Sequence, residues 1–395
     1  MNNVKKAPLE LTILMPCLNE AETLKPCIQK ALKFLRQSKI RGEVLIADNG
    51  STDGSVPLAR SLGARVVSIR EKGYGHALRG GIAAARGKYV IMGDSDDSYD
   101  FSRLGSFMQK LRQGNALVMG CRMPWGGGRI LPGAMPWKHF WIGNPSLTFL
   151  GKLFFRSPIN DFHCGLRGFS RAEVRALNLN TTGMEFASEM VIKAALMNLP
   201  VAEVPITLYP DGRSRPPHLR SWRDGWRHLR FMLLLAPKWL FLVPGIALVF
   251  LGLISQSIGI LGPLKVGPPV FSVGTQILGM LAMLMGLLVC IQAIQARVFC
   301  EKENLLPHSK PLAALFRIFS LEKGLALAGI LGLISLLPFG FSMWDWINSG
   351  FANVNMQANL QRLILFCAFF GCSVIVASGS FALSVLGLQV ARRLQ

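Results

Sequence analysis

The sequence predicts a mainly parallel α/β domain followed by an all-α, four-helix transmembrane region, and three observations predict it. Over the first 120 residues or so, short apolar and β-branched runs alternate with amphipathic stretches, the pattern of βαβ units. The last third of the chain holds four stretches near the ~20 apolar residues that a membrane span requires. Hydrophobic residues make up 51% of the 395, more than an ordinary soluble protein carries, and the excess lies in that last third.

In chain order, strands are expected at 11–18, 43–48, 64–70, 89–94 and 116–121, with helices at 21–36, 54–62, 75–85 and 103–112. Ligands of such sheets bind beyond the carboxyl ends of the strands. Asn19-Glu20, Asp48-Asn49 and Asp94–Asp97 all fall at those ends, so three separate stretches converge on one edge. Residues 124–160 are rich in Gly, Pro, Trp and Phe, and within 136–155 they read as a segment lying in the membrane interface. Mixed α/β structure resumes with 162–169, a helix at 185–199 and a strand at 201–209. A basic, Trp-bearing stretch at about 216–236 then suits a second interfacial helix with snorkelling cations, against the alternative of a solvated basic helix.

Spans are expected at about 240–261, 271–296, 325–343 and 363–390, which sets a domain of 1–238 against one of 239–395. Arg297, Lys302, Lys310, Arg317 and Lys323 lie between spans two and three and Arg392-Arg393 at the tail, whereas the opposite side carries Lys265 and Arg362. This bias places both termini and the α/β domain in the cytosol. No ionisable residue lies deep in a span, which argues against an ion or proton pathway. About +16 of the net +21 sits on the first 238 residues; beside membrane spans, this charge points to anionic head groups and phosphate ligands rather than nucleic acid. The eight cysteines have no zinc-ligand or redox spacing and read as buried thiols of a reducing compartment.

The chemistry starts at Asp94-Ser95-Asp96-Asp97. Two carboxylates one residue apart at a strand tip can share one hard divalent cation, and such a cation is suited to gripping a diphosphate. The alternative is a turn with an N-cap. Glu20 opens a helix after Pro16, where the dipole favours it. Asp53 or Ser51 can cap the helix that follows, while Asp48 can accept from a base N–H or a ribose hydroxyl. Lys72 stands at the mouth of Gly73-Tyr74-Gly75, a diphosphate contact or a solvated lysine. That loop lacks the third glycine of a dinucleotide fingerprint and follows the third strand, which excludes NAD. His163-Cys164 reads as core packing, and Glu185 and Glu189 as sugar contacts or a solvated face.

Pro-x-x-Asn-Glu (16–20), Asp-Asn-x-Ser-x-Asp-Gly (48–54), Lys-Gly-x-Gly (72–75) and Asp-x-Asp-Asp (94–97) together resemble family 2 glycosyltransferases of the GT-A (Rossmann-like) fold. With Gly120-Cys121-Arg122, the 161–168 stretch and the membrane region, the chain looks like the polyprenyl-phosphate glycosyltransferases, the dolichyl-phosphate mannose and glucose synthases and their undecaprenyl-phosphate relatives. The resemblance covers about residues 8–238. It implies that Pro16, Leu18, Glu20, Asp48, Asn49, Asp53, Lys72, Asp94 and Ser95 seat a nucleotide sugar. Asp94 and Asp96 would hold Mg²⁺ or Mn²⁺. Asp161, with Asp96, would serve the catalytic step. Arg122 and Arg215 would meet phosphate; the further cations Lys138 and Arg213 are expected, from their charge, to join them in offsetting the repulsion between the donor and the phosphate of a polyprenyl acceptor. Leu18 stands where relatives often carry an aromatic, and 97–100 departs from the usual continuation.

The expected activity is inverting transfer from UDP-glucose, or else GDP-mannose, to a polyprenyl phosphate at the cytosolic face of a bacterial inner or plasma membrane. A processive polysaccharide synthase and a non-catalytic lipid-binding scaffold are the alternatives; no Gln-x-x-Arg-Trp string supports the former. Gly, Ala and Ser in the last two spans allow a homo-oligomer.

Overall fold

The computed structural model describes residues 8–214, 221–261, 264–265, 270–352 and 355–387. Two compact units divide between Met232 and Leu233. In the first, strands β1 (Leu11–Cys17), β2 (Gly42–Asp48), β3 (Arg65–Ser68), β4 (Tyr89–Met92) and β5 (Leu117–Cys121) alternate with helices α1 (Ala21–Gln37), α2 (Ser55–Ser61), α3 (Tyr74–Ala84) and α4 (Gly105–Arg112). The fully buried Leu11, Ile13, Leu14, Leu45, Val90, Ile91 and Leu117 explain why these runs are continuous rather than alternating: the sheet is covered on both faces.

After β5 come a two-residue strand β6 (Arg129–Ile130), a π-turn at His139–Gly143 leading into α5 (Asn144–Phe155), then β7 (Arg167–Ser170), α6 (Arg171–Ala176), α7 (Phe186–Leu196), β8 (Val201–Pro205), β9 (Thr207–Leu208) and α8 (Ser221–Leu234). The main sheet runs β3-β2-β1-β4-β7-β5-β8, and the strand expected at 201–209 is split, β9 pairing with β6 in a small sheet of its own. β7 is antiparallel to both β4 and β5; every other pairing in the main sheet is parallel. The carboxyl ends of β1, β2, β4 and β5 therefore share one edge with the start of β7. Trp137, Trp141, Ile142 and Phe149 around α5, and Trp222 and Trp226 on α8, are exposed, as interfacial segments require.

The second unit is helical: a π-turn at Lys238–Leu242 running into α9 (Val243–Leu261), then α10 (Val273–Lys302), the short amphipathic α11 (Lys310–Ile318), α12 (Leu321–Asn348) and α13 (Met356–Gly387). Four of these helices are long and apolar enough to cross a membrane. Their ends differ from the expected spans by a few residues, and 388–390 lie outside the described residues. Close backbone approaches at Gly252 against Gly279 and Gly245 against Gly286 seat α9 on α10, where a side chain on either glycine would collide with the other helix.

Candidate active site

The Asp94–Asp97 loop leaves β4 and is stitched to its neighbours through backbone and hydroxyl groups. Ser95 Oγ donates to the Pro16 carbonyl at 2.7 Å, and Thr23 Oγ1 on α1 donates to the Ser95 carbonyl at 2.7 Å. Ser95 is thus a buried clamp between the tips of β1 and β4. Asp96 Oδ1 accepts from the Ser98 N–H (3.1 Å) and hydroxyl (2.6 Å), so the acidic cluster is also the capped turn that its composition allows. Asp97, at φ 62°, turns away to pair with Lys30 at 2.7 Å.

Glu20, Asp96 and, at 3.9 Å, Asp211 meet one guanidinium at this edge, with Asp94 beside them. Arg213 donates to both oxygens of Glu20 (2.9 Å each) and lies 3.4 Å from Asp96 Oδ2. Asp94 Oδ1 accepts from the Tyr74 hydroxyl at 2.9 Å, and Asp94 Oδ2 takes no donor among the described residues. Burial and then the charge of Asp96 push the Asp94 carboxyl up out of the usual range, against the pull of Tyr74, Arg213 and Arg167. Gly165 makes the room: a Cβ there would stand 2.5 Å from Asp94 Oδ2.

This donor set suits a divalent cation. Two hard carboxylates destabilise one another, one oxygen is open, and no third His, Cys, Asp or Glu completes a protein-only metal site among the described residues. Such incompleteness fits Mg²⁺ or Mn²⁺ held by one or two carboxylates together with substrate phosphates.

The neighbouring tips are occupied by turn chemistry. Asp48 accepts from the Gly50 and Ser51 N–H groups at 3.0 and 3.1 Å. Asn49 anchors the next loop, donating to the Ile69 and Glu71 carbonyls and accepting from the Gly73 N–H. Lys72 is exposed, and its Nζ donates to the Asn49 carbonyl at 2.8 Å, which ties the side chain to the loop. Neither Asp53 nor Ser51 is the N-cap of α2, which is Gly54; Asp53, one residue before it, accepts from Ser55 N, Ser55 Oγ and Ala21 N, fastening the starts of both α1 and α2, while Ser51 Oγ accepts from Asn19 N. Leu18 and Pro16 are half-buried beside them.

Arg122 and Asp161 form a second cluster at the end of β5. Asp161 Oδ2 accepts from Arg122 Nε (2.7 Å) and from the Arg122 N–H (3.0 Å), and Oδ1 accepts from Nη2 (2.8 Å). Asp161 is 1% exposed and its own N–H is held by Glu203. The expected catalytic carboxylate and the expected phosphate ligand are thus each other's partner. Lys138 stands exposed ahead of α5, with no described bond joining it to either cluster. Arg215 lies outside the described residues.

One expectation is corrected. Glu189 is neither on a solvated face nor free for a sugar: it is 1% exposed, pairs with Lys193 at 2.8 Å and accepts from the Asn180 and Thr181 N–H groups. Helix α7 is buried on nearly every side, so the i, i+4 acidic pattern marks no surface. Cys164 is core as expected, yet His163 beside it is hydrogen-bonded: Ser188 Oγ lies 3.2 Å from His163 Nε2 and 2.7 Å from His228 Nδ1 on α8. The roles of Tyr74, Gly165 and this His–Ser–His link as site neighbours were passed over by sequence reasoning, although Tyr74 lies inside Lys-Gly-x-Gly and His163 and Gly165 inside the 161–168 stretch.

Residues 12–177 match the glycosyl transferase family 2 profile, and residues 294–387 match the profile of the glycosyltransferase family 2 C-terminal transmembrane region. The low-salt glycan biosynthesis hexosyltransferase Agl6 of Haloferax volcanii is 35% identical over 379 residues, covering 95% of this chain and 89% of that protein. A dolichyl-phosphate beta-glucosyltransferase of Dictyostelium discoideum is 27% identical over 219 residues, 50% of this chain and 65% of that protein. Among solved structures, glucosyl-3-phosphoglycerate synthase of Mycobacterium tuberculosis, crystallised with Mn²⁺, UDP and glucosyl-3-phosphoglycerate, is 23% identical, covers 58% of this chain and 80% of its own, and has a TM-score of 0.46.

Proposed function

The chain belongs to glycosyltransferase family 2, a multi-pass membrane member, and from that premise we propose that it transfers a hexose from a nucleotide sugar to the phosphate of a membrane polyprenyl phosphate. UDP-glucose is the leading donor, ahead of GDP-mannose, and the reaction faces the cytosol. One observation carries the reading: an under-neutralised carboxylate pair, Asp94 and Asp96, on an α/β unit whose chain continues into four helices of membrane-spanning length. The likeness to a hexosyltransferase along nearly the whole chain supports the hexose, and the dolichyl-phosphate glucosyltransferase supports the lipid phosphate.

Asp94 and Asp96 would hold Mg²⁺ or Mn²⁺, which when bound offsets the charge of the donor diphosphate and of the departing nucleoside diphosphate. Glu20 keeps Arg213 aimed along the same edge, where the guanidinium adds positive charge beside the diphosphate. The loops held by Asp48, Asn49, Asp53 and Ser95 fix the walls of the nucleotide seat. A lipid monophosphate, with a second pKa near ~6, is largely dianionic at neutral pH and needs little deprotonation to attack the anomeric carbon. Asp161, closed by three bonds from Arg122, therefore serves by holding that guanidinium toward the acceptor phosphate. In a single displacement the acceptor oxygen forms its bond to the anomeric carbon as the diphosphate oxygen leaves, which inverts the centre.

The test is purified full-length protein in detergent with radiolabelled nucleotide sugars and a polyprenyl phosphate. A chloroform-soluble product that vanishes in excess EDTA is expected. A polymer, no product, or a product undiminished by EDTA would overturn the reading.

A further inference from the structure

Each of the two carboxylates assigned to the cation has one oxygen already committed to a hydroxyl. Asp94 Oδ1 accepts from the Tyr74 hydroxyl at 2.9 Å. Asp96 Oδ1 accepts from the Ser98 hydroxyl at 2.6 Å and from the Ser98 N–H at 3.1 Å. The second oxygens are the ones left for a ligand. Asp94 Oδ2 takes no donor among the described residues, and Asp96 Oδ2 faces Arg213 at 3.4 Å, beyond the length of a good hydrogen bond. Both residues are partly exposed, and Asp94 Oδ2 is not one of the chain's buried, unpartnered atoms, so there is room beside it for a small cation.

The two hydroxyls are themselves held in place. Tyr74 opens α3, and the chain is pinned on either side of it: the Gly73 N–H donates to Asn49 Oδ1 at 2.8 Å, and the Gly75 N–H to the Thr182 carbonyl at 2.9 Å. Ser98 is buried, and its carbonyl accepts from the Tyr209 N–H at 3.0 Å. A carboxylate tied in this way offers a metal one ligand atom unless it gives up the hydroxyl. That distinction separates the hard divalent cations. Ca²⁺ takes ~6–8 oxygens and gains from carboxylates that bind through both of theirs, whereas Mg²⁺ demands near-octahedral geometry and keeps waters and phosphate oxygens as ligands. Mn²⁺ shares the octahedral oxygen preference.

We infer that Tyr74 and Ser98 determine which cation the site takes: by holding Asp94 and Asp96 to one ligand oxygen each, they favour Mg²⁺ or Mn²⁺ and disfavour Ca²⁺. The inference rests on the assignment of the metal to Asp94 and Asp96 under the proposed function. Tyr74 has the larger share, because Asp96 Oδ1 keeps the Ser98 N–H when the serine hydroxyl is removed. If the Tyr74 bond did no more than fasten α3 to the loop after β4, its loss would lower stability and leave cation choice alone.

Full-length protein in detergent is titrated with Mn²⁺, alone and with UDP or GDP, and bound Mn²⁺ is followed by EPR; Mg²⁺ and Ca²⁺ are then used in turn to displace it. The wild type should yield its Mn²⁺ to Mg²⁺ at a lower concentration than to Ca²⁺. In Tyr74→Phe the ratio of those two concentrations should move about tenfold toward Ca²⁺, and in Ser98→Ala by less. Tyr99→Phe is the control: its hydroxyl accepts from the Gly165 N–H at 3.0 Å rather than serving a carboxylate, so the ratio should stay at the wild-type value. An unmoved ratio in folded Tyr74→Phe overturns the inference, and so does an equal shift in Tyr99→Phe. If Tyr74→Phe does not fold, Ser98→Ala and the wild-type order decide the matter: a Ser98→Ala ratio equal to that of the wild type, or a wild type without preference for Mg²⁺ over Ca²⁺, overturns it. A wild type that binds Mn²⁺ with no shift in the variants sinks this inference alone. One that binds no Mn²⁺ with either nucleotide sinks the metal assignment as well.

Discussion

Two arginine–carboxylate clusters stand along the same sheet edge and differ in their charge balance. Around Arg213, Glu20, Asp96 and Asp211 share one guanidinium and Asp94 adds a further carboxyl with one oxygen open. Around Arg122 the ratio is one to one, and both Asp161 oxygens are filled by the arginine's own donors. The first cluster can accept a cation without losing a bond at Asp94. The second can take neither a proton nor a ligand on Asp161 without exposing a buried charge. This difference separates the proposed work of the two ends: cation and donor diphosphate at one, a fixed guanidinium for the acceptor phosphate at the other.

The comparison breaks most directly at Asp94 and Asp96. On the proposed assignment, alanine at both positions removes the cation's protein ligands, and turnover should fall by about 10³-fold or more, as excess EDTA does to the wild type. Purified variants with unchanged melting and near-normal turnover would show that the imbalance has another purpose. Asp161→Asn comes next. As a positioning residue, Asp161 should cost about 10- to 100-fold in turnover when neutralised, leaving the shape of the pH–rate profile intact. The variant should also lose about 3 kcal/mol of stability, because Arg122 is left buried and half-paired. Loss of a limb of the pH profile would instead restore Asp161 as the base.

Gly165→Ala is a smaller and more local probe. Its methyl would sit 2.5 Å from Asp94 Oδ2 and 3.0 Å from the Tyr99 hydroxyl, so one of them must move. About tenfold weaker activation by Mn²⁺, with the fold retained, is expected if Asp94 moves as a ligand. Activation identical to the wild type would detach Asp94 from the metal.

The sheet edge was legible because it depends on rules acting over short distances. Buried strands read as apolar runs, and a parallel sheet puts the polar residues after each strand on one side. β7 was legible only as part of the 162–169 stretch, without its bounds or its direction. It has four residues, begins with the fully buried Arg167, and shows no alternation; that guanidinium is satisfied by the Cys164 and Ala187 carbonyls, which only the folded chain brings near. The pairing of Glu20 with Arg213, 193 residues apart, left no local trace either. Arg213 was read as an acceptor-phosphate ligand from its basic surroundings, and its place among carboxylates came from tertiary structure. Glu185 and Glu189 show the converse error: acidic i, i+4 spacing marks a solvated face on most helices, but Glu189 is buried and paired with Lys193 on a helix buried on nearly every side.

The smallest expected effect on activity lies beside the closed cluster, where α8 is tied to the loop that carries Asp161. His228 bonds to Ser188, which also reaches His163, two residues beyond Asp161. Burial lowers the His228 pKa to about 4; Glu185 and Asp224 oppose that shift, while Arg167 adds to it, and His163 across the link is held low by burial and by His228. Since the folded value lies below the unfolded one of about 6.5, the unfolded state binds more protons between them, and stability falls as pH drops through that window. The docked helix should hold its full stability above about pH 6.5 and lose up to about 3 kcal/mol by pH 4. Hydrogen exchange along α8, followed from pH 7 to pH 4.5, reads this directly, and His228→Gln should flatten the dependence while changing turnover at pH 7 by less than about threefold. A pH dependence that survives in His228→Gln would move the titration to another group and leave α8 held by its apolar contacts alone, Met232 first among them.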